Sequence, residues 1–345
     1  NALYLSAHEH TWQYTADDTT DTITARCSEC NWNGGSVTLT KPKHEKYGDG
    51  EEIYAQLTPD NWQAGALTPL VYTKNGEPAS DLSGAGKYTV TLTIGSASVS
   101  VDYTVAKAEL TIKANDNTIV YGDTASDKGV TYSGFVNDEN ESVLGGELTY
   151  TFSYIPGCDT GLYIITPAGK TSDNYDITFI PGTLTVMRRE VTLTWHNYEN
   201  RTYGDGKYVG ATAGNLLDAD VGKVQVGLVG DREDAAGTHT AVAFELTGDK
   251  AGNYKLPKNV TKEYTIGLAQ QMLTFAKPAT MPDVNYGDTY DNPATNNRTD
   301  GGKVTYTSSD EDVASVDADG KVTAKKVGTA TITATAKAVD GKYSE

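Results

Sequence analysis

Four residues near the N-terminus have the types and spacing of a metal site. His8 and His10 form a His-x-His pair, and Cys27 and Cys30 form a Cys-x-x-Cys pair. Imidazole nitrogens and thiolates are the donors that tetrahedral Zn²⁺ prefers. A set of four leaves no open position for water, so such a zinc is structural rather than catalytic. Two other states of the same residues stay open. One is a Cys27–Cys30 disulfide, which an extracellular compartment permits; the other is free thiols beside exposed histidines. No βαβ pattern surrounds the Cys-x-x-Cys, which argues against a thioredoxin-like redox role. The third cysteine, Cys158, is unpaired by count and belongs to a turn at Pro156-Gly157-Cys158.

These ligands need a hairpin to bring them together. HEHTWQYTA and DTITARC both alternate in polarity, with a polar turn at Asp18-Thr19. A turn there makes paired residue numbers sum to 37, so that Tyr14 faces Ile23, Trp12 faces Ala25 and His10 faces Cys27. His8 then shares the face of His10, and Cys30 returns through a tight knuckle. A module of about 40 residues buries too little apolar surface to stand alone, and a metal would compensate.

Other chemistry is missing from the motifs. His-Glu-His is not the spaced His-Glu-x-x-His of a zinc protease, and there is no Gly-x-Ser-x-Gly elbow or phosphate-cradling glycine loop. VDADGK (residues 316–321) has the look of a calcium loop. The bidentate Glu required six residues after its glycine is Lys326, so a turn between strands is expected there. The 46 acidic residues are spread over turns and wet strand faces. The chain is therefore expected not to be an enzyme.

The triplet Tyr-Gly-Asp occurs at Tyr47, Tyr121, Tyr203 and Tyr286, at intervals of 74 (121 − 47), 82 (203 − 121) and 83 (286 − 203) residues. A signal returning at that spacing marks tandem modules. Glycine suits a left-handed turn, aspartate can bond neighbouring backbone, and tyrosine can pack its ring while its hydroxyl stays wet. Gly-x-Tyr and Asn-Tyr marks recur within the units. TVTLTI, ELTYTF, EVTLTW and KVTYTS alternate with a period of two, as half-buried antiparallel strands do. NDENESVL is the one short helix expected, with Asn137 or Asp138 as N-cap.

The resulting division is 1–40, a small β-hairpin module with the zinc knuckle; 41–106, 107–187 and 188–268, three β-rich repeats; and 269–345, a last unit of different cadence. Joints such as DYTVAKAELTI and TLTVMRREVTL hold no Gly/Ser or Pro-rich spacer, so a semi-rigid, elongated string is expected.

The three central repeats, by their Tyr-Gly-Asp, Gly-x-Tyr and Asn-Tyr-Asp marks between Lys41 and Gly267, resemble the "mostly beta-grasp" repeats of bacterial surface proteins. From Gln271 onward, TSSDEDVASVD, Gly320-Lys321-Val322 and Gly328-Thr329-Ala330-Thr331-Ile332 resemble the bacterial immunoglobulin-like domain of group 2, found in intimin- and invasin-type surface proteins. The resemblance implies a mostly β fold, with β-grasp-like repeats ending in an Ig-like sandwich. It also implies a secreted or wall-attached location and no catalytic residues. The closing strand of the group 2 domain is missing and the chain opens on Asn1, so the sequence reads as a piece of something longer.

With 28 basic against 46 acidic residues, the net charge is −18. Such a surface repels a nucleic-acid backbone and anionic lipid, and keeps the chain soluble and monomeric. No apolar run reaches membrane-span length. The expected role is a non-catalytic stalk or adhesion scaffold at a bacterial cell surface, for an unidentified protein or glycan ligand. The alternative is an array of carbohydrate-binding modules attached to a larger enzyme or adhesin, with Trp32, Trp62 and Trp195 as stacking platforms.

Overall fold

The computed structural model describes residues 9–278 and 283–345. His8 lies outside the described residues. The fold is all-β: among the described residues the helical elements are three one-turn 3-10 segments. The chain forms two compact units, residues 1–119 with 123–186, and residues 120–122 with 187–345.

The first unit opens with β1 (Trp12–Asp17), β2 (Thr22–Cys27), β3 (Asn33–Thr40) and β4 (Gln56–Asp60), which form one antiparallel sheet in sequence order. A second sheet is built from Glu77–Pro78, Val71–Lys74, Gly86–Ile94 and Ala97–Val105. Ile23, Val37 and Leu39 of the first sheet share one core with Tyr88, Val90, Leu92 and Val99 of the second. The outer face of the second sheet is a hydroxyl ladder: Thr89 donates to Asp102, and Thr91 and Thr93 bond Ser100 and Ser98. The alternation of TVTLTI thus separates a dry face from a wet one. The first sheet runs straight through residue 40, so the N-terminal hairpin does not rest on a core of its own. The premise that it needs a metal to stand alone gives way to ordinary apolar burial.

The remainder of the unit is again two-sheeted. Ala108–Ala114 lies between Val130–Ser133, antiparallel, and Tyr175–Ile180, parallel. The other sheet runs Asn117–Val120, Gly182–Met187, Gly161–Ala168, Thr149–Phe152. Only Ala106 and Lys107 separate the strand ending at Val105 from the one starting at Ala108. Backbone bonds grip both sides of that joint: Tyr47 N–H to Ala106 O, Ala106 N–H to Glu45 O and Ala108 N–H to Asn174 O.

The helix expected at NDENESVL shrinks to a 3-10 turn, Glu141–Val143, whose N-cap Asn140 accepts from the Ser142 N–H. Asn137 and Asp138, the expected caps, instead take left-handed φ values of 54° and 57°. Short polar side chains tolerate that conformation, and two in succession turn the chain before any helix starts.

In the second unit, Arg201–Thr202, Thr261–Gly267, Gly237–Thr247 and Gln225–Val229 form a four-stranded sheet. Arg189–Glu190 pairs in parallel with Tyr254–Lys255, and Thr192–His196 pairs antiparallel with Gly210–Gly214. Val209, Ala241, Tyr264 and Ile266 make the core, with Trp195, Tyr198 and Tyr203 against it. The last domain stacks short antiparallel pairs. Leu273–Phe275 joins Ala294–Asn296, Thr289–Asp291 and Ala314–Val316 flank Lys321–Ala324, and Val304–Ser308 joins Ile332–Ala336. VDADGK forms the turn expected of it: Asp317 accepts from the Asp319 and Lys321 N–H groups, and Gly320 has φ 86°.

Candidate metal centre and paired-tyrosine clusters

The β1–β2 hairpin sets the geometry of the N-terminal site. Its loop has four residues, Asp18 to Asp21, and closes when the Asp17 carboxylate accepts from the N–H and hydroxyl of Thr19. Those bonds hold the Asp17 carboxyl below its ordinary value, the Thr19 hydroxyl having the largest effect. The longer loop shifts the expected register by two residues. Trp12 faces Cys27, Tyr14 faces Ala25 and Ala16 faces Ile23. A shift of two leaves every side chain on its expected face, but moves His10 beyond Cys27.

His10 there meets Cys30, with Nδ1 and Sγ 3.4 Å apart. His10, Cys27 and Cys30 bring ligand atoms within 4.8 Å of one another. Zn–N and Zn–S bonds place neighbouring tetrahedral ligands about 3.5 Å apart, so the His10–Cys30 spacing fits the ion as it stands. The knuckle is fixed by backbone: Cys27 N–H donates to Trp32 O and Asn31 N–H to Cys27 O, with Asn31 at φ 59°. Cys27 is buried and Cys30 exposed. The Trp32 N–H lowers the Cys30 thiol pKa, but desolvation and the neighbouring Cys27 thiol outweigh it and raise the value. The His10 ring lies 5.0 Å from Trp12 and stacks on Trp32 at 6.0 Å. Three of the four residues singled out in the sequence thus converge. Cys158 stands apart, half-buried in the expected turn, where its N–H donates to Ile155 O.

The Tyr-Gly-Asp triplets form the turns expected of them. Gly48, Gly122, Gly204 and Gly287 have φ of 74°, 90°, 73° and 83°. Asp49 accepts from the N–H groups of Glu45, Lys46 and Glu51 and bonds the buried His44 ring at 2.7 Å. Asp205 is held in the same way by Thr202, Lys207 and the buried Arg201.

The tyrosines depart from expectation. Tyr47 and Tyr121 are 6% and 1% exposed, and their hydroxyls are not wet. Tyr47 belongs to the core of the following repeat, with Leu110, Ile112, Leu144 and Tyr175. Its ring packs edge-on to Tyr175 at 5.5 Å, and both hydroxyls donate to one carboxylate, Tyr47 to Glu139 Oε1 at 2.6 Å and Tyr175 to Oε2. The Val136 N–H in turn donates to the Tyr175 hydroxyl at 3.0 Å. In the second unit Tyr121 and Tyr254 are edge-on at 5.5 Å and donate to Asp220 Oδ2 at 2.9 and 2.8 Å, while the Leu217 N–H donates to Tyr254 at 2.9 Å. Desolvation first, and Glu139 second, pushes Tyr175 up to about 12. Desolvation and Asp220 do the same for Tyr254, against the Leu217 N–H. The carboxylates were not singled out in the sequence because they look like surface charge in NDENES and NLLDAD.

Of the tryptophans named as stacking platforms, Trp62 is partly buried against the first core and donates to Gly65 O, and Trp195 packs on the third-repeat core. Trp32 is exposed.

Family profiles match two stretches. Residues 110–185 match the MBG domain (YGX type), and residues 279–345 match the bacterial Ig-like domain (group 2). Both agree with the resemblances seen in the sequence. No curated protein matches the chain. Among solved structures, surface layer protein SbsC, domains 1-6, aligns at 16% identity with a TM-score of 0.22, covering 97% of this chain and 55% of that one. The S-layer protein rSbsC(31-844) aligns at 15% identity and TM-score 0.21, over 94% and 52%. Titin domains I67-I69 align at 11% identity and TM-score 0.20, over 62% and 91%. The chain therefore spans about half the length of the surface-layer chains it matches.

Proposed function

We propose that this chain is a non-catalytic, extracellular segment of a bacterial surface protein that spaces or presents other parts of that protein. Its N-terminal hairpin, already packed on a shared core, would carry a structural zinc on His10, Cys27, Cys30 and, from its place in the sequence, His8. One observation carries the spacer reading. At the joint between the first two repeats, the only linking residues are Ala106 and Lys107, and the Tyr47 side chain is part of the next repeat's core. A joint of that kind resists bending, which a spacer needs and a set of independently tethered binding modules does not. The MBG and Ig-like group 2 matches support the surface location.

The test is made on cells that produce the protein. Labelling of intact cells with an impermeant reagent should modify this segment, and deletion of residues 107–187 should bring an outward epitope closer to the cell without blocking export. Saturable binding on a glycan array that is lost in Trp32→Ala or Trp62→Ala would instead support the carbohydrate-binding alternative and count against the spacer.

A further inference from the structure

The Glu139 and Asp220 clusters share one local frame and one set of partners, though the two phenols take separate oxygens of Glu139 and the same oxygen of Asp220. In each, an apolar residue (Val136, Leu217) donates its N–H to a tyrosine hydroxyl. The acid three residues later donates its own N–H back to that apolar residue's carbonyl, and its carboxylate receives two phenols. The receiving tyrosines, Tyr175 and Tyr254, lie on strands parallel to a repeat's first strand, opposite Ala108 and Arg189. The arriving tyrosines, Tyr47 and Tyr121, are fixed by backbone N–H bonds to Ala106 O and Met187 O, where the preceding closing strands end.

The glycine of the triplet completes the fit. A Cβ on Gly48 would come within 2.3 Å of Val136, and one on Gly122 within 2.5 Å of Leu217. Glycine therefore serves the close approach as well as the turn. A third, looser version occurs in the second unit. Tyr203 is edge-on to Tyr343 at 5.2 Å, Tyr343 donates to Asp300 at 2.7 Å, and Tyr343 bridges Ala269 in parallel.

The fourth triplet supplies a control within the chain. Its turn is the same, with Asn285 N–H donating to the Asp288 carboxylate and Asp288 N–H to Asn285 O, yet Tyr286 is 85% exposed. Its turn is fastened to Ala324 rather than to a strand that closes a repeat. The local motif alone does not bury its tyrosine.

We propose that Tyr-Gly-Asp is a docking motif, whose tyrosine is received by a tyrosine–carboxylate pair on the next repeat along the chain, and that this pair decides which module can follow which. The acceptor recognises a phenol specifically: a Phe ring fills the same space but leaves the carboxylate, buried in Asp220 and half-buried in Glu139, short of one donor, which costs most where the carboxylate is driest. The inference concerns how repeats recognise one another and holds whatever the whole chain is used for.

The test is residue-resolved tyrosine nitration of the full chain, read by mass spectrometry. In the unaltered protein Tyr286 should react readily and Tyr47, Tyr121, Tyr175 and Tyr254 slowly. Glu139→Leu should raise the reactivity of Tyr47 and Tyr175 by about tenfold or more while leaving Tyr88, Tyr121 and Tyr254 unchanged, and Asp220→Leu should do the converse. Glu139→Gln keeps the shape and is the second arm: the Tyr175 phenol should ionise at lower pH once the charge is gone. Reactivity that rises at every tyrosine together, or at none, or a Tyr175 titration unmoved in Glu139→Gln, overturns the proposal.

Discussion

Trp12 stands directly opposite Cys27, so the indole of Trp12 and the ring of His10, 5.0 Å apart, share one end of the first hairpin with the cysteine knuckle. Trp32 closes the other side of His10. Metal binding there should be visible in tryptophan emission. Elemental analysis of protein purified without added zinc should give about one equivalent per chain, lost in Cys27→Ser and Cys30→Ser. Chelation should change emission while the module stays folded, because Ile23, Val37 and Leu39 are already fully packed in a shared core. Absence of metal together with three titratable thiols would eliminate both the zinc and the disulfide states.

That shared core makes its own prediction. Leu39→Ala should destabilise the stretch from β1 to Val105 as one unit, by about 2–5 kcal/mol. Hydrogen exchange of the Gly86–Ile94 strand is the measurement. A loss confined to residues before 41 would mean that the hairpin folds separately.

Gly48 and Gly204 have nearly the same φ, 74° and 73°, but only Gly48 has a neighbour where a Cβ would go. Gly204→Ala should cost about 1–2 kcal/mol, the penalty of a left-handed alanine. Gly48→Ala adds a clash with Val136, for a total of about 2–5 kcal/mol. Chemical denaturation of the two variants distinguishes them.

High pH should loosen the paired-tyrosine clusters. Tyr175 and Tyr254 have folded values of about 12 against an ordinary 10.0. Both are raised, so their contribution is fully present below pH 10 and lost as pH rises through 12. Alkaline titration followed by phenolate absorbance should show these two groups ionising late, together with loss of structure.

Low pH acts on the turns. Burial alone would raise the Asp49 carboxyl, but the Lys46 N–H, the His44 ring and the Glu51 and Glu45 N–H groups together bring it well below 3.8. Asp205 is likewise lowered, chiefly by Arg201 against its own desolvation. Groups lowered on folding stabilise above the ordinary value and lose that contribution as pH falls below it. Stability should therefore decline below about pH 4, and less steeply in Asp49→Asn. Thermal unfolding across that range is the check.

Much of this was legible in the sequence because it depends on local pattern. The Thr-rich alternation of TVTLTI reports a wet and a dry face, and glycine in Tyr-Gly-Asp reports a turn. The hairpin register was not legible, since it turned on whether Asp17 closed a two-residue or a four-residue loop, and that choice depends on one side-chain bond to Thr19. The role of Glu139 was hidden for a different reason. Its partner Tyr47 is 92 residues away, and no periodicity within one repeat can reveal a bond made to the next.

That distance has a consequence for how the chain comes into being. Tyr47 precedes its carboxylate by 92 residues and Tyr121 by 99, so a nascent or vectorially exported chain completes each repeat's outline well before that repeat's last phenol is covered. The first two repeats each carry a bare aromatic tip until the successor arrives, and there maturation proceeds as a relay in which each arrival seals the one before.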